Sequence, residues 1–439
     1  MNRDRHTPRR AASASALVLS LALATTACTG DGGQSKPKAS PSPSYVTSTG
    51  LPYSSPTPGT ALGTQDEAVP TKVPEAVHLG SVPAITADQL LVTEDHGAQT
   101  LGIHVVDPKT GKTVSSIDSA SVNFWAVNFG IVGRHDGLPT VLAAEDWRPR
   151  GMRGKADHVL SFYSGDLLHP AEIKLPDDTR LHAQTQSASL TRDGRYFVAW
   201  DDAVFGLRVV DLKARKYTGA VRAVGCGPFT WVVGHDVYTP CNDDGKIIRI
   251  HVGDDGVPKV AGSRTVFPKG FAGSRNAAWS SASSTAVMVT PEGDVYRVGL
   301  ADGLPTGTVE PVGRMKLAEG ELPGAPVISP DGSRFAVPVT KESATTRVET
   351  YDTATFKKRF TISAAEAKVG DLSGIVYAAT GSTFYTLSSR QAETGASWLL
   401  TGWDPATGKK TGSVTLHTTL AAISGLGNLS APVEIGAGR

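Results

Sequence analysis

The chain has 439 residues with 43 Lys+Arg against 42 Asp+Glu interleaved along it, a balance that disfavours a nucleic-acid partner, because phosphate binding needs concentrated positive charge. Its 47 glycines and 28 prolines, beside 7 % aromatic residues, point to a turn-rich β fold and away from a helical bundle.

Residues 1–27 read as an export signal. Arg3, Arg5, Arg9 and Arg10 make a positive start, Ala16 to Ala24 is apolar, and Thr25-Thr26-Ala27 brings small residues up to Cys28. The apolar run is too short to span roughly 30 Å of hydrocarbon as a mature helix. The Leu23–Cys28 stretch resembles a bacterial lipobox, which implies acylation of Cys28 and a lipid-anchored position on the outer, extracytoplasmic side of the cell membrane. Thr25 stands where that motif usually has Leu, and an ordinary signal peptide cut near Ala27 is the alternative. The Arg9-Arg10 pair is followed by Ala-Ala-Ser and not by hydrophobic residues, which disfavours the twin-arginine route. Removing residues 1–27 leaves 39 basic residues against 41 acidic, so membrane attachment is expected through lipid and not through a polybasic patch.

Residues 28–75 read as a tether. Between Thr29 and Thr60, 23 of 32 residues are Gly, Pro, Ser or Thr, too little apolar surface to offset the entropy of ordering.

From Leu79 to about residue 418 the apolar residues come in short runs rich in Val, Ile, Phe, Tyr and Trp, cut by Gly, Asp and Pro every eight to twelve residues, and no segment holds a helical period. An Asp-led turn follows a strand at Asp107 (VVDPKTGK), Asp211, Asp352 and Asp404 (WDPATGKK), with weaker equivalents near Ser164, Gly253 and Gly299. Asp107 and Asp404 lie 297 residues apart, or six intervals of about 49.5, which makes seven units. Asp-Gly turns at Asp193 (LTRDGRYFVAW) and Asp331 (ISPDGSRFAV) share one phase of that unit. So do acidic ends to the second strand at Glu94, Glu145, Asp201, Asp243 and Glu292. About four strands per unit at this period predict an all-β, seven-bladed β-propeller, with six or eight blades left open. The quoted stretches resemble the repeats of quinoprotein-like, surface-layer (YVTN-like, WD40-type) and Tol-system propellers, which implies the fold but leaves function open, since the shared motifs are turn chemistry. The expected blades are 79–118, 121–175, 185–222, 226–262, 274–310, 324–362 and 370–418. Residues 419–439 form a C-terminal tail or closing strand; an outermost strand is expected either from the tail or from the segment before Leu79.

After Cys28 only Cys226 and Cys241 remain, on either side of a Gly234-His235 turn that sets them nearly opposite. An oxidising location makes them a disulfide; the alternative is two buried thiols. Glu94, Asp95, Glu145, Asp146, Asp201, Asp202, Asp243, Asp244, Glu292 and Asp294 would line one rim, which could take a cation (Ca²⁺ is the one cofactor considered), a basic peptide or a hydroxylated ligand; Asp and Glu serving simply as solvated turn residues is the alternative. An insertion from Trp147 to Asp157 carries Arg148, Arg150, Met152, Arg153 and Lys155, the composition of a contact hot spot; the alternative is a loop that covers a blade edge with Trp147 packed down. No Gly-x-Ser-x-Gly, His-Glu-x-x-His, P-loop or sialidase Asp-box occurs, and the histidines, among them His96, His104, His235 and His251, are scattered singly. The expected function is therefore a monomeric scaffold that binds a protein, a peptide or a cell-envelope component, with no catalytic residue assigned; the alternative is a propeller enzyme, whether a metal-assisted lyase, a lactonase or a quinoprotein-like oxidoreductase.

Overall fold

Strands whose every residue is apolar or buried need cover on both faces, and the middle strands of this chain are of that kind: Tyr196–Asp201 and Gly206–Asp211 are buried along their whole length. The last strand of the same unit, Lys216–Arg222, has no fully buried residue, so it lies at an outer edge. The computed structural model describes residues from Thr86 to Glu434 except 87, 96–99, 121–130, 136–137, 151–152, 164–169, 183–185, 242–244, 272–275, 365–370, 393–394, 417–422 and 429–432. Residues 1–85, with the export signal, Cys28 and the tether, lie outside the described residues, as do Asp243 and Asp244.

Among the described residues the strands form seven sheets, and no helix is present. Each sheet serves as one blade. In chain order they are Leu90–Asp95, Thr100–Val106 and Thr113–Ala120; then Ile131–His135, Leu138–Trp147, Asp157–Tyr163 and Ala171–Lys174; then Ala188–Leu190, Tyr196–Asp201, Gly206–Asp211 and Lys216–Arg222; and Trp231–Val233, Asp236–Pro240, Lys246–Val252 and Pro258–Thr265. Blade five holds Ala277–Ser280, Thr285–Val289, Asp294–Gly299 and Gly313–Arg314, and blade seven Asp371–Tyr377, Phe384–Ala392, Gly395–Trp403 and Lys410–Thr415. In blade six the first strand is broken into Glu321–Pro323 and Val327–Ile328, both paired with Arg334–Lys341, before Ala344–Asp352 and Lys358–Ser363.

Consecutive blades pack face to face through separate apolar clusters. Leu142, Leu160 and Phe162 of blade two meet Phe197 and Val210 of blade three. Val198, Trp200 and Val209 of blade three meet Val237 and Ile250 of blade four. Trp231 and Tyr238 of blade four meet Met288 and Tyr296 of blade five, with Trp231 stacked on Trp279. The series continues through Val287 against Phe335 and Val348 against Tyr377, and Leu90 and Val92 of blade one pack on Leu387 and Leu400 of blade seven, closing the ring. Each fully buried Val, Leu, Ile or Phe contributes about 1.5–3 kcal/mol relative to exposure, so the stability of this β-propeller resides between blades.

Closure uses the C-terminal tail, at the opposite edge from the outermost position expected. Blade one starts in sequence with its second strand, and its own Thr113–Ala120 already takes the outer edge. The missing place is the first, innermost one, and Ile423–Asn428 fills it antiparallel to Leu90–Asp95 and beside the first strand of blade seven. Farther on, Val433–Glu434 adds a parallel pair to the innermost strand of blade two.

The two faces of the ring differ. One carries the turns between first and second and between third and fourth strands. There the Asp107 carboxylate accepts the Lys109 N–H and the Thr110 hydroxyl, and Gly111 takes φ +72°. Asp352 and Asp404 accept pairs of N–H groups in the same way. These bonds favour the anion and hold the Asp107 and Asp404 carboxyls below their usual range, and at Asp352 the Arg359 guanidinium does so first, with the Thr355 hydroxyl and N–H. The other face carries the turns between second and third strands and the connections between blades.

Candidate functional site

The predicted acidic residues lie at one corresponding corner of the fold. Glu94 and Asp95 end the second strand of blade one, Glu145 and Asp146 lie at the end of that of blade two, Asp201 ends that of blade three, and Glu292 and Asp294 flank the start of the third strand of blade five. Their backbones share a face, and among the described residues no three His, Cys, Asp or Glu groups are placed to hold a metal ion.

Three of these carboxylates, those of Glu145, Asp146 and Asp201, are buried. Asp201 is fully buried and accepts Arg208 Nε at 2.6 Å together with the N–H groups of Arg180, Ala203 and Val204. Arg208, itself 4 % exposed, reaches on to Asp178 at 2.9 Å. Asp202 pairs with His182 at 3.0 Å. In blade two Glu145 accepts the Ser161 and Tyr163 hydroxyls, and Asp146 contacts His158 Nδ1. Burial and the Glu145 charge push the Tyr163 phenol far up, and burial with the same charge raises the Glu172 carboxyl. Asp294 forms a bidentate pair with Arg314, and Glu292 is exposed. Glu145 and Asp146 also line a small depression with Ala144, Leu175, Thr179 and Leu181. These contacts make Asp201, Glu145 and Asp146 internal ties of their blades, occupied before any ligand arrives.

Trp147 differs. It is 45 % exposed at the end of its strand, and the insertion behind it is a built turn: Arg148 donates to the Gly154 carbonyl at 2.8 Å, and the Arg153 N–H to that of Arg150. Gly154, at φ +100° with Pro149 packed against the position of a Cβ, is required there. Lys155 then pairs with Asp177 of the connection to blade three, which fixes the insertion to its neighbour.

Cys226 and Cys241 form a disulfide across a single bridge beside the first strand pair of blade four. The scattered histidines share a pattern that sequence spacing did not bring out: His158, His182, His235 and His251 each contact an Asp, namely Asp146, Asp202, Asp193 and Asp236. Also missed were two exposed apolar residues on the face of Trp147. Phe205, in the turn after Asp201, is 56 % exposed at φ +48°, and Val224, in the connection to blade four, is 67 % exposed.

No protein-family model matches the chain, and no curated protein does. Solved structures do match in fold. A protein from Lactobacillus plantarum superposes with a TM-score of 0.52 at 11 % identity, covering 77 % of this chain and 98 % of its own. A candidate 6-phosphogluconolactonase from Bacteroides uniformis gives 0.50 at 13 % identity over 77 % and 99 %. At such identity the likeness carries the fold and nothing of the activity.

Proposed function

We propose that this chain is an extracytoplasmic binding module, tethered through an acylated Cys28, whose β-propeller contacts a protein, a peptide or a cell-envelope component at the corner of blade two. The observation that carries this reading is the Trp147–Lys155 insertion: an exposed indole and four basic side chains on a turn braced by its own hydrogen bonds and by the Lys155–Asp177 pair. Trp and Arg on a preorganised element are the residue types that dominate contact energies. The buried Glu145, Asp146 and Asp201 support it from the other side, because at the corners of blades two and three these acids are tied within their blades and the insertion is the chemistry that projects.

Deletion of residues 148–155 in the full chain tests it. The expected result is an unchanged melting temperature with loss of partner capture at the envelope; retention of capture refutes the assignment. Cys28→Ser should abolish incorporation of labelled palmitate and release the protein from the membrane fraction. Steady hydrolysis of a sugar lactone by the purified chain, abolished by no change in the insertion, would move the assignment to a propeller enzyme.

A further inference from the structure

The surface that surrounds Trp147 extends well beyond the insertion, and ion pairs and hydrogen bonds trace it from blade two to blade four. The Lys155–Asp177 pair joins the insertion to the connection between blades two and three. That connection carries Arg180, whose N–H bonds Asp201 and whose carbonyl accepts the Asp202 N–H. The turn begun by Asp201 and Asp202 carries Phe205, and the Phe205 carbonyl accepts the Ala223 N–H, placing Arg222 and Val224 beside it. The result is one strip across the corners of blades two to four. It includes the exposed Trp147, Phe205 and Val224, while Val114, Val257 and Val260 lie along the fourth strands and the turns of the other face.

Charge on the strip is lopsided. Its acids have partners: Asp157 with Lys174, Asp177 with Lys155, Asp178 with Arg208, Asp202 with His182. Among the described residues Arg150, Arg153, Arg180 and Arg222 are exposed and form no ion pair. A chain near neutral overall thus presents four uncompensated guanidinium groups interleaved with three apolar knobs. Guanidinium forks recognise carboxylates bidentately, and separate apolar knobs seat separate side chains.

We infer that this strip docks an acidic polypeptide segment whose carboxylates alternate with apolar residues; the inference rests on the binding reading above and supplies its partner class. A polypeptide fits better than a bilayer. The three apolar knobs stand apart on three separate elements, each beside guanidinium groups, which suits alternating side chains of one extended segment and not insertion of a continuous apolar face among acyl chains.

The test uses the full-length chain and a fluorescent synthetic peptide of about twelve residues alternating Asp or Glu with Leu or Phe, followed by anisotropy. The peptide should bind, weaken as salt rises, and lose about thirtyfold in affinity when Arg150, Arg153, Arg180 and Arg222 are all replaced by Gln. Replacing Lys109, Lys357 and Lys409 of the other face by Gln should leave binding unchanged. Equal binding by the four-arginine variant overturns the inference, as does preference for phosphatidylglycerol vesicles or polyphosphate over the peptide. A photo-crosslinking residue at position 147 or 205 in living cells separates the two levels. Adducts with acidic segments support both readings. Adducts with basic or neutral segments remove the partner class and leave the binding face standing, and no adduct at either position removes both.

Discussion

Asp201 decides whether the carboxylates of the ring serve a ligand or the fold. Its Oδ atoms accept Arg208 Nε and three backbone N–H groups, and no part of it meets solvent. Asp201→Ala strands three N–H donors and leaves Arg208 with one ion pair, to the exposed Asp178, beside long bonds to the Asp178 carbonyl and the Tyr217 hydroxyl. Removing one member of a buried, hydrogen-bonded pair costs about 3–5 kcal/mol. A propeller of roughly 340 residues unfolds with an entropy of about 0.7 kcal/mol/K, so the melting temperature should fall by about 4–7 °C. Arg208→Met should cost about half as much, because the carboxylate keeps its three N–H donors. The double variant should then melt close to Asp201→Ala, a coupling of at least about 1 kcal/mol. Circular dichroism melts with urea titration of the four proteins measure the cycle. Additive losses, or an Asp201→Ala protein melting within about 1 °C of the parent, refute the assignment of this side chain to an internal tie.

Other perturbations probe separate parts of the ring. Replacing Cys226 and Cys241 by Ser opens a link between residues 15 apart and should cost about 3 kcal/mol, read as the difference between oxidised and reduced melts of the parent. At Gly227, φ is +96° and a Cβ would lie 2.4 Å from the Trp200 ring, so Gly227→Ala should lose about 2–4 kcal/mol while Gly225→Ala, with open space around it, loses less. Arg359 and the Thr355 hydroxyl and N–H hold the Asp352 carboxyl at about 2, against an ordinary 3.8. A carboxyl depressed on folding stabilises fully above its unfolded value and loses that contribution as pH falls through the folded one. Stability should therefore decline between about pH 4 and pH 2, and Asp352→Asn should flatten that part of a urea-midpoint profile. Truncation after Leu416 removes the strand that closes blade one, and should leave Leu90 and Val92 open to solvent and convert a single cooperative melt into early, broad unfolding.

The architecture was legible because its signals are local. An Asp that caps a turn needs only the next three residues, as at Asp352 and Asp404, and a strand covered on both faces announces itself as an unbroken run such as YFVAW. The shared face of the acidic corners followed from phase alone. What phase cannot give is the direction of a side chain at a strand end. Asp201 is buried because Arg208 stands opposite on the next strand and the Arg180 N–H arrives from the preceding connection, partners seven and twenty-one residues away. The histidine–aspartate contacts hide for the same reason, spanning from 12 residues for His158 to 42 for His235. The broken first strand of blade six, interrupted where Gly324 packs on Pro338, left no apolar run to read.

The two faces also differ in what their turns can carry. On the face of Asp107, Asp352 and Asp404 the turns are short, capped by Asp and closed upon themselves. On the other face the turns between second and third strands can lengthen without disturbing a blade, because the strands they join are held by neighbours on both sides. Blade two uses that freedom for an insertion, blade three for an exposed phenylalanine, and the connection to blade four for an exposed valine, and the side chains of Trp147, Phe205 and Val224 all lie outside the clusters between blades. A contact surface placed at these corners can therefore change its chemistry while the ring keeps its stability.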